Sequence, residues 1–199
     1  MTRRILALDI ASETGWAFGE VGAIPRTGTD RLAPEGEPNQ RYFGNAIKWL
    51  HRLLSVTNPD VLAIEAAIDT SSMSGQRKTS PETHARALGL QAVMQGVWDA
   101  RGKGDRIVRL VNVKTARVTF LGKGAGNLTG KEAKPRVRAR CIELGWLTRE
   151  TATFDKADAC AVWAHVCCQI DKDFAANFTP LGTSPANIYR LKPEYEIEF

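Results

Sequence analysis

Four carboxylates stand in positions that suggest metal chemistry. Asp9 closes the first apolar run of the chain, Glu65 closes a second one, and Asp155 and Asp158 stand at the start of a segment of small residues. An ionised carboxylate in an apolar setting needs a cation, a metal ion or several hydrogen bonds to offset its desolvation. We therefore hypothesise that the fold gathers these four side chains into one metal site.

Each carboxylate also has a simpler explanation. Asp155 and Asp158 are at i and i+3, so a helix would carry both near its start, where acids complement the helix dipole by about 0.3–1 kcal/mol each. On the simpler explanation, Glu65 is a strand-end residue that caps a neighbouring element, and Asp9 is a turn-forming residue. The combination favours a metal site, because four clustered carboxylates would repel one another strongly unless divalent cations bound there.

Magnesium is the cofactor that such a cluster would hold. Mg²⁺ prefers oxygen ligands and keeps water molecules for a substrate, and Mn²⁺ is the expected substitute. Two ions about 3.5–4 Å apart would activate a water molecule and stabilise the leaving oxygen of a phosphodiester. The chain carries 27 Lys and Arg against 22 Asp and Glu, a net charge of +5, and this balance favours a polyanionic partner such as DNA.

Hydrophobic periodicity predicts the elements that would position the acids. The apolar run before Asp9, a turn over 11–15 and an aromatic run over 16–19 predict a hairpin, and we expect a short edge strand within 21–38. Apolar residues at three- and four-residue spacing predict helices over 40–56 and 82–100. Strands are predicted at 61–65 and 107–111, so the order of elements indicates an α/β domain with a mixed sheet.

The C-terminal half is predicted to be mostly helical. Helices are expected over 113–121, over 131–144 with Pro135 in the first turn, and over 154–170. A length of 199 residues fits one domain, which we place at 1–170 with a C-terminal extension over 171–199.

Composition also bears on the compartment. The 4 Cys include no CxxC pair, and those in the predicted helix 154–170 fit a reducing cytoplasm. Asp9 interrupts the N-terminal apolar run, and no apolar stretch approaches the roughly 20 residues that span a bilayer. We therefore expect a cytoplasmic chain without a membrane partner.

The order and spacing of the acids carry a family resemblance. The motifs are Ile5-Leu6-Ala7-Leu8-Asp9 with Thr14-Gly15, Leu62-Ala63-Ile64-Glu65, Val113-Lys114 with a Gly-Lys-Gly turn, and Asp155-Lys156-Ala157-Asp158-Ala159. Together they resemble the RuvC family of Holliday junction resolvases. The resemblance implies a ribonuclease H-like α/β fold, in which helices flank a five-stranded mixed sheet, and a homodimeric crossover junction endodeoxyribonuclease.

The resemblance also implies roles for single residues. Asp9, Glu65, Asp155 and Asp158 would be the catalytic metal ligands of a Mg²⁺-dependent enzyme that resolves four-way junctions by paired symmetric nicks. Lys114 matches a family lysine, and either Lys131 or Lys134 matches a second one. The expected DNA contacts are Arg77, Lys78, Lys114, Lys123, Lys131, Lys134 and Arg138.

Two departures from the family pattern leave alternatives open. The family has Pro-Gly directly after its first Asp, whereas Ile10-Ala11 stands here, which fits a diverged, phage-type branch. The family's loop after the Glu often carries an aromatic side chain that wedges into the junction centre, but 66–83 contains no Phe, Tyr or Trp. Beyond Ile68, the only large apolar candidate in that segment is Met73. The alternatives are a nuclease for other branched DNA, such as forks and flaps, and a non-catalytic junction-binding protein.

Overall fold

A five-stranded mixed sheet forms the centre of the structure, a computed structural model that describes residues 2–67, 80–102 and 107–178. The first three strands form an antiparallel meander, and the last two run parallel to the first. The strands are β1 (Arg4–Asp9), β2 (Glu13–Glu20), β3 (Arg26–Arg31), β4 (Val61–Glu65) and β5 (Ile107–Val111). Their order across the sheet is β3-β2-β1-β4-β5, which confirms the predicted hairpin, edge strand and mixed sheet. The predicted turn over 11–15 was too long, because β2 begins at Glu13 and Gly15 already pairs with Asp9.

Helices pack on both faces of this sheet. They are α1 (Asn39–Thr57), α2 (Pro81–Ala100), α3 (Val113–Leu121), α4 (Gly130–Glu143), α5 (Phe154–Ile170) and α6 (Lys172–Asn177). The first five agree with the predicted bounds to within one residue. In the described ranges no helix has the length and apolar character needed to cross a membrane.

The alternation of side chains along β1 separates two hydrophobic cores. Ile5 and Ala7 face the core built with α3, α4 and α5, whereas Leu6 and Leu8 face the core built with α1 and α2. Strand β4 alternates in the same way. Since side chains of a strand alternate in direction, Asp9, the next odd-numbered residue of β1, projects toward the α5 side.

Helix α5 is the central helix of its layer. All of its residues from 157 to 167 are buried, and their Ala and Cys side chains let it approach β1 and β2 closely. Gly15 of β2 contacts the main chain of Asp155, and any Cβ at position 15 would overlap that backbone. The start of α5 therefore rests directly on the sheet.

Helix α4 corrects one prediction. Glu132 Oε2 accepts a hydrogen bond from the main-chain N–H of Thr129 at 2.8 Å, which caps the helix at Thr129. Pro135 therefore lies in the second turn, and the prediction that it sits in the first turn was wrong. Its ring nitrogen cannot donate to the carbonyl of Lys131, so α4 lacks one internal hydrogen bond.

The segment after α5 packs on the same domain. Phe178 is 8% exposed and stacks on Trp146, with ring centroids 5.7 Å apart and planes tilted by 11°. Phe174 of α6 stacks on Phe178 at 5.0 Å. The first eight residues of the predicted 171–199 extension thus cover the α5 core, and 179–199 lie outside the described residues.

Candidate active site

Asp9 and Glu65 lie at the carboxyl ends of two adjacent parallel strands. The register pairs Leu8 of β1 with Ile64 of β4, so the two acids occupy the next positions side by side. Both acids are partly exposed, and both continue the series of side chains that faces α5. The sheet therefore presents two carboxylates toward the start of that helix.

The other two acids come from α5 itself. Thr153 caps this helix by accepting a hydrogen bond from the main-chain N–H of Lys156 at 3.3 Å. Asp155 lies in the first turn and Asp158 in the second, where Asp158 is only 5% exposed. Helix capping and the Gly15 contact together fix where these carboxylates meet the strand ends.

The electrostatics show that the chain brings the acids together. Burial and then repulsion by Glu65 and Asp158 hold the pKa of Asp9 well above its usual range. Burial and repulsion by Asp158 raise the pKa of Glu65 to about 7. Burial also raises the pKa of Asp158, although the positive charge of Lys134 opposes this shift. One cluster thus contains several carboxyl groups that resist ionising together.

Lys134 of α4 forms an ion pair with Asp158 of this acid cluster. Its Nζ lies 3.4 Å from Oδ2 of Asp158, and 41% of its side chain is exposed. Burial alone would lower the pKa of Lys134, but the charges of Asp158 and Asp9 outweigh burial and raise it. Lys131, the other lysine left open by the sequence, is exposed and forms no ion pair within the described part of the chain.

Arg117 of α3 is a charged neighbour that the sequence reasoning missed. Its positive charge lowers the pKa of both Glu65 and Asp158, against the effect of burial. Its Nε atom is buried without a hydrogen-bond partner in the described part of the chain. The sequence signal for it is its position in α3: Arg117 follows Ala116 and precedes Phe120 by about one turn, and both of these residues are buried. A basic residue on the apolar side of a short helix is unusual.

The remaining predicted DNA contacts are spread over the α3–α4 side. Lys114 and Lys123 are exposed. Arg138 instead donates from Nε to the carbonyl of Ala152 at 2.7 Å and from an Nη to the carbonyl of Arg149 at 3.2 Å, so it holds the segment that leads into α5. Arg77, Lys78, Ile68 and Met73 lie outside the described residues.

Comparison with solved structures identifies the architecture. A Thermus thermophilus RuvC in complex with a Holliday junction substrate matches with a TM-score of 0.57 and 14% identity over 89% of this chain and 97% of that one. A second Thermus thermophilus RuvC structure matches with a TM-score of 0.52 and 15% identity over 80% of this chain and 90% of that one. The yeast mitochondrial Holliday junction resolvase Ydc2 matches with a TM-score of 0.54 and 14% identity over 89% of this chain and 85% of that one. The chain has a RuvC-like fold. Neither a family model nor a curated protein sequence matches it.

The RuvC-like fold confirms the predicted fold class.

The four acids suit a metal ion in the type of donor atom. The four side chains offer carboxylate oxygens, the donor type that suits Mg²⁺ and Mn²⁺. In the described ranges, however, no three His, Cys, Asp or Glu side chains lie close enough together to form a ready-made site. The oxygen donors are therefore of the right type for a metal ion. Binding would require the carboxylates to move closer together and Asp158 to replace its contact with Lys134 by a contact with the metal.

Proposed function

We propose that the chain is a metal-dependent DNA endonuclease that resolves four-way junctions by paired symmetric nicks. The observation that carries this proposal is the cluster of Asp9, Glu65 and Asp158. Burial raises all three pKa values, and repulsion by Asp158 raises those of Asp9 and Glu65 further. Carboxyl groups with strongly raised pKa values that share one pocket are typical of functional sites. The RuvC-like fold supports the choice of substrate, since one matching structure contains a Holliday junction and another is a junction resolvase.

The acids have defined roles in this proposal. Asp9, Glu65, Asp155 and Asp158 would hold two Mg²⁺ ions, with Mn²⁺ as a substitute. Bound Mg²⁺ would supply the positive charge that lowers the pKa of a water molecule and stabilises the leaving oxygen. The partly exposed Asp9 and Glu65 would face the DNA, whereas buried Asp158 would anchor the site from below.

The basic residues would hold the DNA backbone. Lys134 is half-buried beside Asp158, and we assign it to the phosphate nearest the acids. The exposed Lys114, Lys123 and Lys131 would contact phosphates further away, where each cation mainly contributes salt-dependent affinity. A homodimer would place one acid cluster at each of two opposed strands, which accounts for two symmetric cuts.

The experiment compares the wild type with Asp9→Asn on a labelled synthetic four-way junction, with and without Mg²⁺. We expect Asp9→Asn to bind the junction with unchanged or higher affinity and to lose cleavage, because the change removes one metal ligand and one negative charge. Asp99→Asn, at an exposed acid of α2, is the matched control and should cleave normally. Cleavage by Asp9→Asn at the wild-type rate would rule out the proposed site.

A second candidate is a nuclease for other branched DNA. It is favoured by the lack of Phe, Tyr and Trp within 66–83, because in the RuvC family the loop after the Glu often carries an aromatic side chain that wedges into the junction centre. A panel of four-way junction, fork, flap, duplex and single strand separates the two functions by relative rates. Binding without any cleavage in either Mg²⁺ or Mn²⁺ would instead favour a non-catalytic junction-binding protein.

A further inference from the structure

The main chain directly after Glu65 is held by two hydrogen bonds of different kinds. The N–H of Ala66 donates to the carbonyl of Val111 at 2.8 Å, which is the last bond between β4 and β5. The next N–H, that of Ala67, donates to the side-chain Oε1 of Gln91 at 2.9 Å. Gln91 of α2 thus holds the main chain at Ala67, one residue beyond the bond from Ala66 to β5.

The same glutamine borders the acid cluster. A cavity of about 160 Å³ is lined by Asp9, Ile10 and Glu65 from the strand ends, by Ala66 and Ala67, and by Ala87 and Gln91 from α2. Three of these seven residues are alanines, which leave the space open. Such a volume is large enough for a phosphate group with bound water, since a water molecule occupies about 30 Å³ in the liquid.

The hydrogen bond to Ala67 also orients the amide of Gln91. Because a main-chain N–H can only donate, the atom that meets it must be the carbonyl oxygen Oε1. The amide nitrogen is then directed away from Ala67 and keeps two N–H donors on a side chain that lines the cavity. Those donors suit the oxygens of a phosphate, whose negative charge strengthens hydrogen bonds from neutral donors.

We propose that Gln91 is a positioning residue of the acid site, which fixes the chain after Glu65 through Ala67 and donates from its amide to the phosphate group held in the adjoining cavity. The first part concerns the protein alone. The second part rests on the proposed nuclease function and names the group that the cavity would receive. A glutamine with a purely structural role would need only its carbonyl oxygen.

Two substitutions separate the carbonyl from the amide. Gln91→Met keeps the length of the side chain and removes both the acceptor and the donors. Gln91→Glu keeps an acceptor for Ala67 and removes the donors. Gln95→Met, the same change one turn further along α2 at a residue that does not line the cavity, is the matched control.

The first measurement is amide hydrogen exchange at Ala67 in the full chain, without DNA or metal. We expect exchange at Ala67 to be about tenfold faster or more in Gln91→Met, and unchanged in Gln91→Glu and Gln95→Met, because a lost hydrogen bond to a partly buried group costs about 1.4 kcal/mol, a factor of ten. Unchanged exchange in Gln91→Met overturns the positioning role. If Gln91→Met does not fold, faster exchange at Ala67 in Gln91→Glu would overturn it instead.

The second measurement is single-turnover cleavage of the four-way junction, with Mg²⁺ affinity measured by calorimetry. We expect both Gln91 variants to cleave at no more than about one tenth of the wild-type rate. Gln91→Glu should bind Mg²⁺ at least as tightly as the wild type, and Gln95→Met should cleave normally. Wild-type cleavage by Gln91→Glu would overturn the phosphate contact. If the wild type itself cuts no DNA, the proposed function fails, yet the exchange at Ala67 still decides the positioning role.

Discussion

The main chain of Asp155 lies directly against the α-carbon of Gly15, with no room for a side chain between them. Gly15 is also the residue of β2 that pairs with Asp9 of β1. One glycine therefore connects the strand that carries the first acid with the helix turn that carries the third. The separation of the two acids depends on the absence of a Cβ at this position.

Gly15→Ala should damage both the fold and the acid site. The new methyl group would overlap the carbonyl of Asp155, so the start of α5 would have to move away from the sheet. Such overpacking costs about 1–3 kcal/mol of the free energy of unfolding, which urea denaturation measures, and cleavage should fall further than stability alone explains.

Gly44→Ala is the control for this change. Gly44 lies within α1, and a Cβ there would meet no atom within 4 Å. Alanine in a helix interior is favoured over glycine by roughly 0.5–1 kcal/mol, so this variant should be as stable as the wild type or more stable. Equal effects of the two substitutions would show that the contact with Asp155 is unimportant.

Phe178→Ala should destabilise the domain by about 3–5 kcal/mol. Phe178 is 8% exposed, and its ring contacts those of Trp146, Phe174 and Phe120 at 5.7, 5.0 and 5.9 Å. Phe154→Ala is the control, because 43% of Phe154 is exposed. Urea denaturation that gives the same loss for both variants would mean that the segment after α5 is a loose extension.

The sequence predicts the sheet and five helices because each of these elements carries its own apolar period. Helix α6 has only six residues, too few to show such a period. Its Phe174 contacts Trp163, and Phe178, which follows the helix, finds partners far away in the chain at Trp146 and Phe120. Pro135 was placed wrongly because the helix starts at the capping box formed by Thr129 and Glu132. This Thr-x-x-Glu pattern is a signal of a helix start that the sequence does contain.

The acids of the site are visible in the sequence because they interrupt apolar runs. Arg117 and Gln91 are not, because a basic residue or an amide on a helix is ordinary. Their meaning comes from tertiary contacts: Arg117 acts on Glu65 across 52 positions of sequence, and Gln91 binds the main chain of Ala67. Local pattern therefore predicts the acids of the candidate site, and the fold is needed to find the groups that lie around them.

Lys134→Met should lower stability at pH 7 and raise the pKa of the neighbouring acids. Loss of its contact with Asp158 costs about 1 kcal/mol, less than for a fully buried pair, because 41% of the lysine side chain is exposed and the pair is partly screened. The pKa of Glu65, which Lys134 now lowers, should rise above about 7. Carbon-13 NMR titration of the carboxyl groups measures this change.

Lys131→Met is the control for the lysine prediction. Lys131 lies on the same helix and is exposed, so its loss should leave the pKa of Glu65 unchanged while still weakening DNA binding at low salt. A rise in this pKa of the same size in both variants would mean that general positive charge, and not the Asp158 contact, acts on the acids.

The metal-free protein should become less stable as the pH rises from about 4.5 to about 7. The pKa of Glu65 is raised from 4.5 to about 7 by burial and by Asp158, so the folded state binds its proton more tightly than the unfolded state does. The proton on Glu65 therefore stabilises the folded state at low pH, and this stabilisation, on the order of 3 kcal/mol, disappears as the pH rises through this window.

Glu65→Gln should remove this pH-dependent loss of stability and be more stable than the wild type above pH 7. Glu35→Gln, at an exposed acid, should follow the wild-type curve. Mg²⁺ should stabilise the wild type more at pH 8 than at pH 5, because only ionised carboxylates bind it. Thermal unfolding across this pH range measures all three, and superimposable wild-type and Glu65→Gln curves would contradict the coupling of Glu65 to the acid cluster.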